Sequence, residues 1–194
     1  MQSERVKELT KSYLDEIKSI DINKLIFIDE SGANQNMILN YGRSLSGQKV
    51  YDERPTSRSK RVSTVGAMSS SGMKASMCFE GTLNRKTFTT FLSQILLPEL
   101  KKDDVVVMDN ASVHHHRSIV ELIESKGARV LYLPPYSPHL NPIENAWSKM
   151  KHILRQLKAR SIDTLYDAWS QAIDSITPSD AKGYFMNAGL VFTS

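Results

Sequence analysis

Five short runs of apolar and β-branched residues constrain the fold of this chain more than any other feature. Runs of this length and composition are typical of β-strands. They are KLIFID at 24–29, RVSTVGAM at 61–68, MKASMCFE at 73–80, DVVVMD at 104–109 and ARVLYL at 128–133. Only SSSG separates the second run from the third, which predicts a β-hairpin. The sequence therefore predicts five strands.

Helical periodicity appears before the first run and between the later ones. Residues 1–20 predict a short amphipathic helix, and a helix that ends at the C-capping candidate Gly127 is predicted before the fifth strand. Residues 84–102 predict a crossover helix that connects the third and fourth strands. Its apolar face consists of Phe88, Phe91, Leu92, Ile95 and Leu96.

The chain after the fifth strand is predicted to be helical. One helix runs from Pro142 to about Lys158, and another opens on Ser161. The first of these is predicted to bury a stripe of Ile143, Trp147, Met150, Leu154 and Leu157. Three strands in a meander, then strand, helix, strand and helices, predict an α/β fold. We expect a mixed five-stranded sheet covered by helices on both faces.

The composition and length are those of an ordinary globular protein with one domain. The chain has 194 residues, of which 40% are hydrophobic and 24% charged. We predict a helix or linker over residues 1–23 and one domain over 24–194; residues 31–59 lack periodicity and are predicted to form an inserted loop. No apolar run approaches the roughly 20 residues that span a bilayer, so a cytoplasmic protein without a membrane partner is predicted.

Positive charge is concentrated in two clusters, although the net charge is only +4. Neither cluster contains an acid. The first spans residues 54–61 and comprises Arg54, Arg58, Lys60 and Arg61. The second spans residues 145–160 and includes Lys149, Lys151, Arg155 and Lys158. One such cluster is usually solvated surface, whereas two in one small domain also suit contacts with a DNA backbone, so both interpretations stay open.

Two acids follow apolar strands, and a third follows a proline-rich segment. Asp29 ends the first predicted strand and Asp109 the fourth, so the two can lie side by side at one edge of the sheet. PPYSPHLNPIENAW at 134–147 stiffens the approach to Glu144. Clustered carboxylates suit Mg²⁺ or Mn²⁺, and two such ions can promote phosphodiester cleavage.

Glu144 also has a plain structural interpretation. Asn141, Pro142 and Glu144 occupy the positions of an N-cap, an N1 proline and an N3 glutamate, so that the glutamate would only close a capping box.

Three segments together carry a family resemblance. FIDESG, VVMDNASVHH and LPPYSPHLNPIENAWSKMK resemble the catalytic core of DDE transposases of the mariner superfamily and of related bacterial insertion sequences. The resemblance runs from about residue 24 to 176 and includes YGRSLSGQ at 41–48. The 34 residues between Asp109 and Glu144 match the branch whose third acid is glutamate.

The resemblance implies an RNase H-like fold and a metal-dependent endonuclease and strand transferase. It implies that Asp29, Asp109 and Glu144 hold two Mg²⁺ or Mn²⁺ ions and catalyse cleavage at transposon ends and transfer into target DNA. Three accessory residues are expected near the site, namely Asn110, His114 and Asn141. His115 and His116 match no family role and are expected at the surface, and His139 stands where relatives commonly carry Asp.

The resemblance also implies double-stranded DNA as partner, a homodimer in the DNA complex and, in a prokaryote, association with the nucleoid. Relatives carry an N-terminal helix-turn-helix region that recognises transposon ends. The 23 residues before Lys24 are too few for it, so another chain or reading frame is expected to supply it. Two alternatives stay open: a catalytically silent DNA-binding or oligomerisation remnant, and a nuclease of RNase H or resolvase type.

Overall fold

A computed structural model describes residues 4–35, 37, 45–49, 60–111 and 114–191. The five strands within these ranges are β1 (Leu25–Asn34), β2 (Arg61–Ser69), β3 (Gly72–Glu80), β4 (Val105–Met108) and β5 (Arg129–Tyr132). The six α-helices within them are α1 (Glu4–Lys18), α2 (Arg85–Phe91), α3 (Arg117–Glu124), α4 (Ile143–Leu157), α5 (Ile162–Asp174) and α6 (Pro178–Asn187).

The strands form one mixed sheet in the order β3-β2-β1-β4-β5. The first three strands pair antiparallel as a meander, whereas β4 pairs parallel with both β1 and β5. Parallel neighbours need a crossover, which the segment containing α2 and the segment containing α3 supply. The predicted mixed five-stranded α/β fold is confirmed.

Strand β1 extends past Asp29, so the prediction that this acid ends its strand is wrong. Residues 27–34 pair antiparallel with β2, which places Asp29 opposite Gly66. The parallel pairing of β1 with β4 covers only residues 25–27. The antiparallel pairing of β1 with β2 continues after the parallel pairing with β4 has ended. Asp29 therefore lies in the middle of β1 but just beyond the parallel part of the sheet.

Helices cover both faces of the sheet and enclose two apolar cores. On one face, α4, α5 and α6 bury Trp147, Trp169 and Phe185 against the sheet. The rings of Trp147 and Trp169 meet edge to face, with centroids 6.1 Å apart. On the other face, α2 and α3 pack over the parallel strands, with Phe88 and Ile119 fully buried. The two faces therefore have the helical cover that the sequence predicts.

Helix α1 contributes to the first core through Tyr13 and Ile17, which are buried, while Leu9 is exposed. The division of the chain between residues 23 and 24 stays a prediction. No helix in the described ranges is both long and apolar enough to cross a membrane.

The predicted crossover helix over residues 84–102 is interrupted. Asn84 caps α2 by accepting the N–H of Thr87, but regular α-helix ends at Phe91. Residues 92–96 form a π-helical turn and residues 97–99 a 3₁₀ turn. Pro98 lies in the 3₁₀ turn and has no N–H, so it stops the π-helical ladder from continuing past Leu97. The predicted apolar face is nevertheless buried, with Ile95 partly so.

The C-terminal helices agree with the sequence except at two places. Leu157, predicted in the buried stripe of α4, is exposed, because it is the last helical residue before Lys158 turns left-handed at φ +49°. Helix α6 was not predicted. Its signal was present, since Thr177 caps it in a capping box with Asp180, and a proline occupies the first turn.

Candidate active site

The parallel register brings Asp29 and Asp109 together. Leu25 lies opposite Val105, and Phe27 lies opposite Val107. Asp29 and Asp109 each come two residues after the last of these pairs, so they leave the parallel strands at the same level. Both acids line a cleft of about 440 Å³. Its other lining residues include Asn110, Asn141, Glu144 and the proline-rich segment Leu133–Pro138. The three acids expected from the sequence therefore face one cleft.

Asp29 is held at the floor of this cleft against α4. The indole Nε1–H of Trp147 donates a hydrogen bond to Oδ2 of Asp29 at 3.1 Å. The pKa of Asp29 is raised to about 7, mainly by burial, then by the negative charge of Glu144 and, less strongly, by that of Asp109. Hydrogen bonds from the backbone of Glu30 and from Trp147 oppose this rise. A carboxyl in this environment binds a proton readily unless a cation takes its place.

Gly66 allows Trp147 to reach Asp29. It lies opposite Asp29 on β2, and a Cβ atom there would be 2.8 Å from Cη2 of Trp147 and 2.8 Å from Cε of Met73. Only a residue without a side chain lets the indole lie this close to the strand. The sequence predicted Trp147 as a core residue, and its contact with the acid was missed.

Asp109 is held ionised by His114. Nδ1 of His114 lies 2.6 Å from Oδ1 of Asp109, and the N–H of Ala111 donates to the same oxygen at 3.0 Å. The hydrogen bond with His114 is the main reason that the pKa of Asp109 is lowered. His114 is buried against Phe88, with ring centroids 4.6 Å apart. The other carboxylate oxygen of Asp109 has no hydrogen-bond partner among the described residues and is left for a ligand.

Asn110 is locked into the wall of the cleft. Its Nδ2 donates a hydrogen bond to the Leu133 carbonyl, and its Oδ1 lies 2.9 Å from Nε2 of His115. The imidazole of His115 stacks on Tyr132 with centroids 4.3 Å apart. His115 is exposed, as expected, but it supports Asn110. The sequence signal for the contact between Asn110 and His115 was their separation of five positions, which equals the separation of Asp109 and His114.

Glu144 does not close a capping box, so its purely structural interpretation is wrong. The N-cap position of α4 is Pro142, and no side chain caps the helix there. The N–H of Glu144 donates to the backbone carbonyl of Asn141 at 3.2 Å. The glutamate side chain is exposed on the first turn of α4. The preceding loop is stiff, because prolines limit its backbone and Tyr136 adopts φ +58°.

Asn141 contributes an unsatisfied polar atom to the cleft. Asn141 is buried, and its Oδ1 has no hydrogen-bond partner among the residues that the structure describes. Leaving a buried polar atom unpaired costs about 1–3 kcal/mol in a folded protein.

The lining residues fit a hydrated divalent cation better than a preformed metal cage. In the described part of the chain, no three carboxylate, imidazole or thiolate groups are close enough to hold a metal without rearrangement. The available donors are oxygens, which Mg²⁺ and Mn²⁺ prefer, and Mg²⁺ usually keeps several of its waters. The mutual repulsion that helps raise the pKa of Asp29 is the interaction that a cation relieves.

The predicted DNA-binding residues occupy different environments. Arg54 and Arg58 lie outside the described residues. Lys60 lies 3.4 Å from a carboxylate oxygen of Glu80, and Arg61 lies 3.5 Å from one of Glu30. Residues 144, 148, 151 and 155 share one stripe of α4 at helical spacing. Lys151 and Arg155 are partly exposed on this stripe, and Lys158 is exposed at the end of the helix.

Lys149 is partly exposed, but its ammonium group is paired within the fold. Its Nζ donates to a carboxylate oxygen of Asp180 at 2.7 Å and to the Ser175 carbonyl at 2.9 Å. This ion pair, through the hydrogen bond from Lys149, is the main cause that lowers the pKa of Asp180 to about 2. Lys149 therefore ties α4 to α6.

A mixed five-stranded sheet with helices on both faces is the architecture of an RNase H-like transposase catalytic domain. Residues 24–166 match the family model of the DDE superfamily endonucleases, and the chain belongs to that superfamily. No curated protein sequence matches it significantly.

Solved structures of Mos1 transposase share the fold. The Mos1 paired-end complex with the left transposon end superposes with a TM-score of 0.77 at 19% identity, over 97% of this chain and 60% of the Mos1 chain. The Mos1 mariner paired-end complex with Mn gives 0.76 at 19%, with the same coverage. The catalytic domain of Mos1 mariner transposase gives 0.69 at 16%, over 97% of this chain and 89% of that domain. This chain thus spans 60% of the Mos1 chain in the complexes.

Proposed function

We propose that this chain is the catalytic domain of a mariner-superfamily transposase of the bacterial insertion-sequence branch. It cleaves DNA at transposon ends and transfers the strand into target DNA, with two Mg²⁺ or Mn²⁺ ions. The observation that carries the proposal is that Asp29, Asp109 and Glu144 line one cleft. Mos1 complexes with Mn, with Mg and with a transposon end support it by analogy. The 34 residues between Asp109 and Glu144 support the branch.

Each acid has a distinct role in this proposal. Asp109 is a fixed anion, because His114 and Ala111 orient its Oδ1. Asp29, whose orientation is held by Trp147, would bind a cation in its deprotonated form. Glu144 completes the ligand set from the first turn of α4. When bound, divalent ions supply activation of the attacking oxygen and stabilisation of the leaving oxygen.

The stripe that continues from Glu144 along α4 is proposed to hold the DNA backbone. Lys151 and Arg155 follow Glu144 at helical spacing, and Lys158 ends the helix. Lys60 and Arg61 form a second contact, together with Arg54 and Arg58. Lys149 is not included among the proposed DNA contacts, because its ammonium group forms an ion pair with Asp180. Cationic side chains near the cleft would position the duplex without reading its sequence.

The remaining partners follow from the same proposal. We place the chain in the cytoplasm of a prokaryote, associated with the nucleoid. The DNA complex contains two copies, because two transposon ends are handled together.

Plasmid nicking tests this proposal. Supercoiled plasmid is incubated with the wild-type chain over a Mn²⁺ titration, beside Asp29→Asn, Asp109→Asn and Glu144→Gln. We expect nicking by the wild type and its loss in each variant. Asp15→Asn, on the exposed side of α1, makes the same change of charge away from the cleft and should nick normally. Nicking that persists in all three cleft variants would refute the proposal.

A second candidate is a DNA-binding module without catalytic activity. It is favoured by one observation, that the acids in the described part of the chain are not already gathered into a metal-binding cluster. Salt-dependent DNA binding with no Mn²⁺-dependent cleavage, even after a DNA-binding region is added in trans, would favour it. Preferred cleavage of RNA–DNA hybrids or of junctions over duplex DNA would instead indicate an RNase H or resolvase type of nuclease.

A further inference from the structure

Asn141 is placed where an asparagine usually caps a helix, yet its side chain does not cap. The N–H of Glu144 goes to the backbone carbonyl of Asn141 at 3.2 Å, and Pro142 holds the N-cap position of α4. Asn141 is 4% exposed and lines the cleft of the three acids, and its Oδ1 has no hydrogen-bond partner in the described part of the chain. The carboxamide oxygen is therefore buried in the site without a hydrogen bond to the described part of the fold.

The backbone around Asn141 is held on both sides. Its N–H donates to the Pro138 carbonyl at 2.9 Å and closes a 3₁₀ turn, while its own carbonyl receives the N–H of Glu144. The side chain thus projects from a fixed point three residues before Glu144. Side chains whose supporting backbone is locked are suited to positioning a ligand.

Asn110 provides the comparison within the same cleft. Both ends of its carboxamide are satisfied, by the Leu133 carbonyl and by His115. Asn141 has no such partner for Oδ1. The unpaired oxygen is therefore a property of this position and not of the cleft as a whole.

The chemistry of Oδ1 restricts what can pair with it. A carbonyl oxygen only accepts hydrogen bonds, so its partner must be a donor. When a cation is bound at the site, Asp29, Asp109 and Glu144 are ionised and have no proton to donate, and neither has a DNA phosphodiester. Water in the hydration shell of a divalent cation is a donor, and Mg²⁺ keeps several of its waters in proteins.

We propose that Asn141 is a positioning residue of the metal site, whose Oδ1 accepts a hydrogen bond from the hydration shell of a cation held by Asp29, Asp109 and Glu144. This inference rests on the proposed function, because it requires a cation at the three acids. It adds to that function a group outside the ligand set that orients the bound ion.

The test measures Mn²⁺ affinity by isothermal titration calorimetry and metal-free stability by thermal unfolding in EDTA. It uses the whole chain with Asn141→Leu, which has a similar volume, and Asn141→Ala, which avoids any overpacking. Asn187→Ala at the exposed end of α6 is the matched control. We expect both Asn141 variants to bind Mn²⁺ about 10- to 100-fold more weakly, as outer-shell substitutions do. Their metal-free melting temperature should not fall, because no hydrogen bond is lost.

The outcomes separate this inference from the function on which it rests. Failure of the wild-type chain to bind Mn²⁺, or binding unaffected by Asp109→Asn, overturns the proposed function and this inference with it. Normal wild-type binding together with Asn141 variants within twofold of it overturns this inference alone. A lowered metal-free melting temperature with unchanged Mn²⁺ affinity would show a structural role and would also overturn it.

Discussion

Replacing Asp29 with asparagine should stabilise the metal-free protein while it removes the proposed metal ligand. Burial raises the pKa of Asp29 from an ordinary 3.8 to about 7. A carboxyl whose folded pKa exceeds its unfolded value favours the native state when protonated, so its contribution is lost as the pH rises toward 7. Above pH 7 the wild-type chain carries an unfavourable buried charge that Asp29→Asn lacks.

The size of the effect follows from the same shift. The change in the pKa of Asp29 corresponds to about 4 kcal/mol as an upper bound. Asp29 is partly exposed, and solvent screening reduces this to about 2 kcal/mol at pH 8. For a chain of this size, that free energy raises the melting temperature by about 4 to 8 °C. The hydrogen bond from Trp147 is retained, because the asparagine Oδ1 also accepts.

Thermal unfolding in EDTA at pH 4.5 and pH 8 measures this directly. The difference between Asp29→Asn and wild type should be small at pH 4.5 and largest at pH 8. Added Mn²⁺ at pH 8 should raise the melting temperature of the wild type but not that of the variant. Asp15→Asn controls for the change in net charge and should melt like wild type. A variant that melts at or below wild type at pH 8 would refute the assignment of Asp29 as a destabilised carboxylate.

Three further substitutions test the supports of the site. His114→Ala removes the hydrogen bond that lowers the pKa of Asp109. The variant should lose about 2 kcal/mol of stability in urea unfolding at pH 7 and should nick plasmid more slowly. Unchanged stability would contradict this expectation. Gly66→Ala should cost about 1–3 kcal/mol, because its Cβ would displace Trp147; a crystal structure with an unmoved indole would contradict it. Lys149→Ala should lower stability by about 1 kcal/mol and leave the salt dependence of DNA binding unchanged, whereas a shallower salt slope would return it to the DNA-contacting set.

The site is assembled by two independent structural devices. Strand register brings Asp29 beside Asp109, since both lie just beyond the parallel pairing of β1 with β4. The proline-rich loop before α4 fixes where the helix begins, and therefore where Glu144 lies on its first turn. Trp147 joins the two devices, because it lies one turn after Glu144 and donates its indole N–H to Asp29. A displacement of α4 therefore changes the setting of two acids at once.

Charge clusters in the sequence proved a coarser guide than the acids. The cluster on α4 contains a lysine that pairs with α6 as well as side chains free to face outward on the stripe of Glu144. Sequence spacing places Lys149 off that stripe, but the acid that neutralises it lies 31 residues later in the chain. Only the packing of α6 against α4 reveals that this cation has a partner.

Local sequence determined most of the fold and singled out the three acids that line the cleft. Strand runs, helical periodicity, caps such as Ser161 and the proline-rich approach to Glu144 act over a few residues, so they can be read from the chain in order. Tertiary structure decided what depends on distant partners. Examples are the extension of β1 past Asp29 along β2, the indole contact through Gly66, the His115 support of Asn110 and the unsatisfied Asn141. Hydrogen bonding and burial between such residues depend on three-dimensional distance, which local patterns in the chain do not encode.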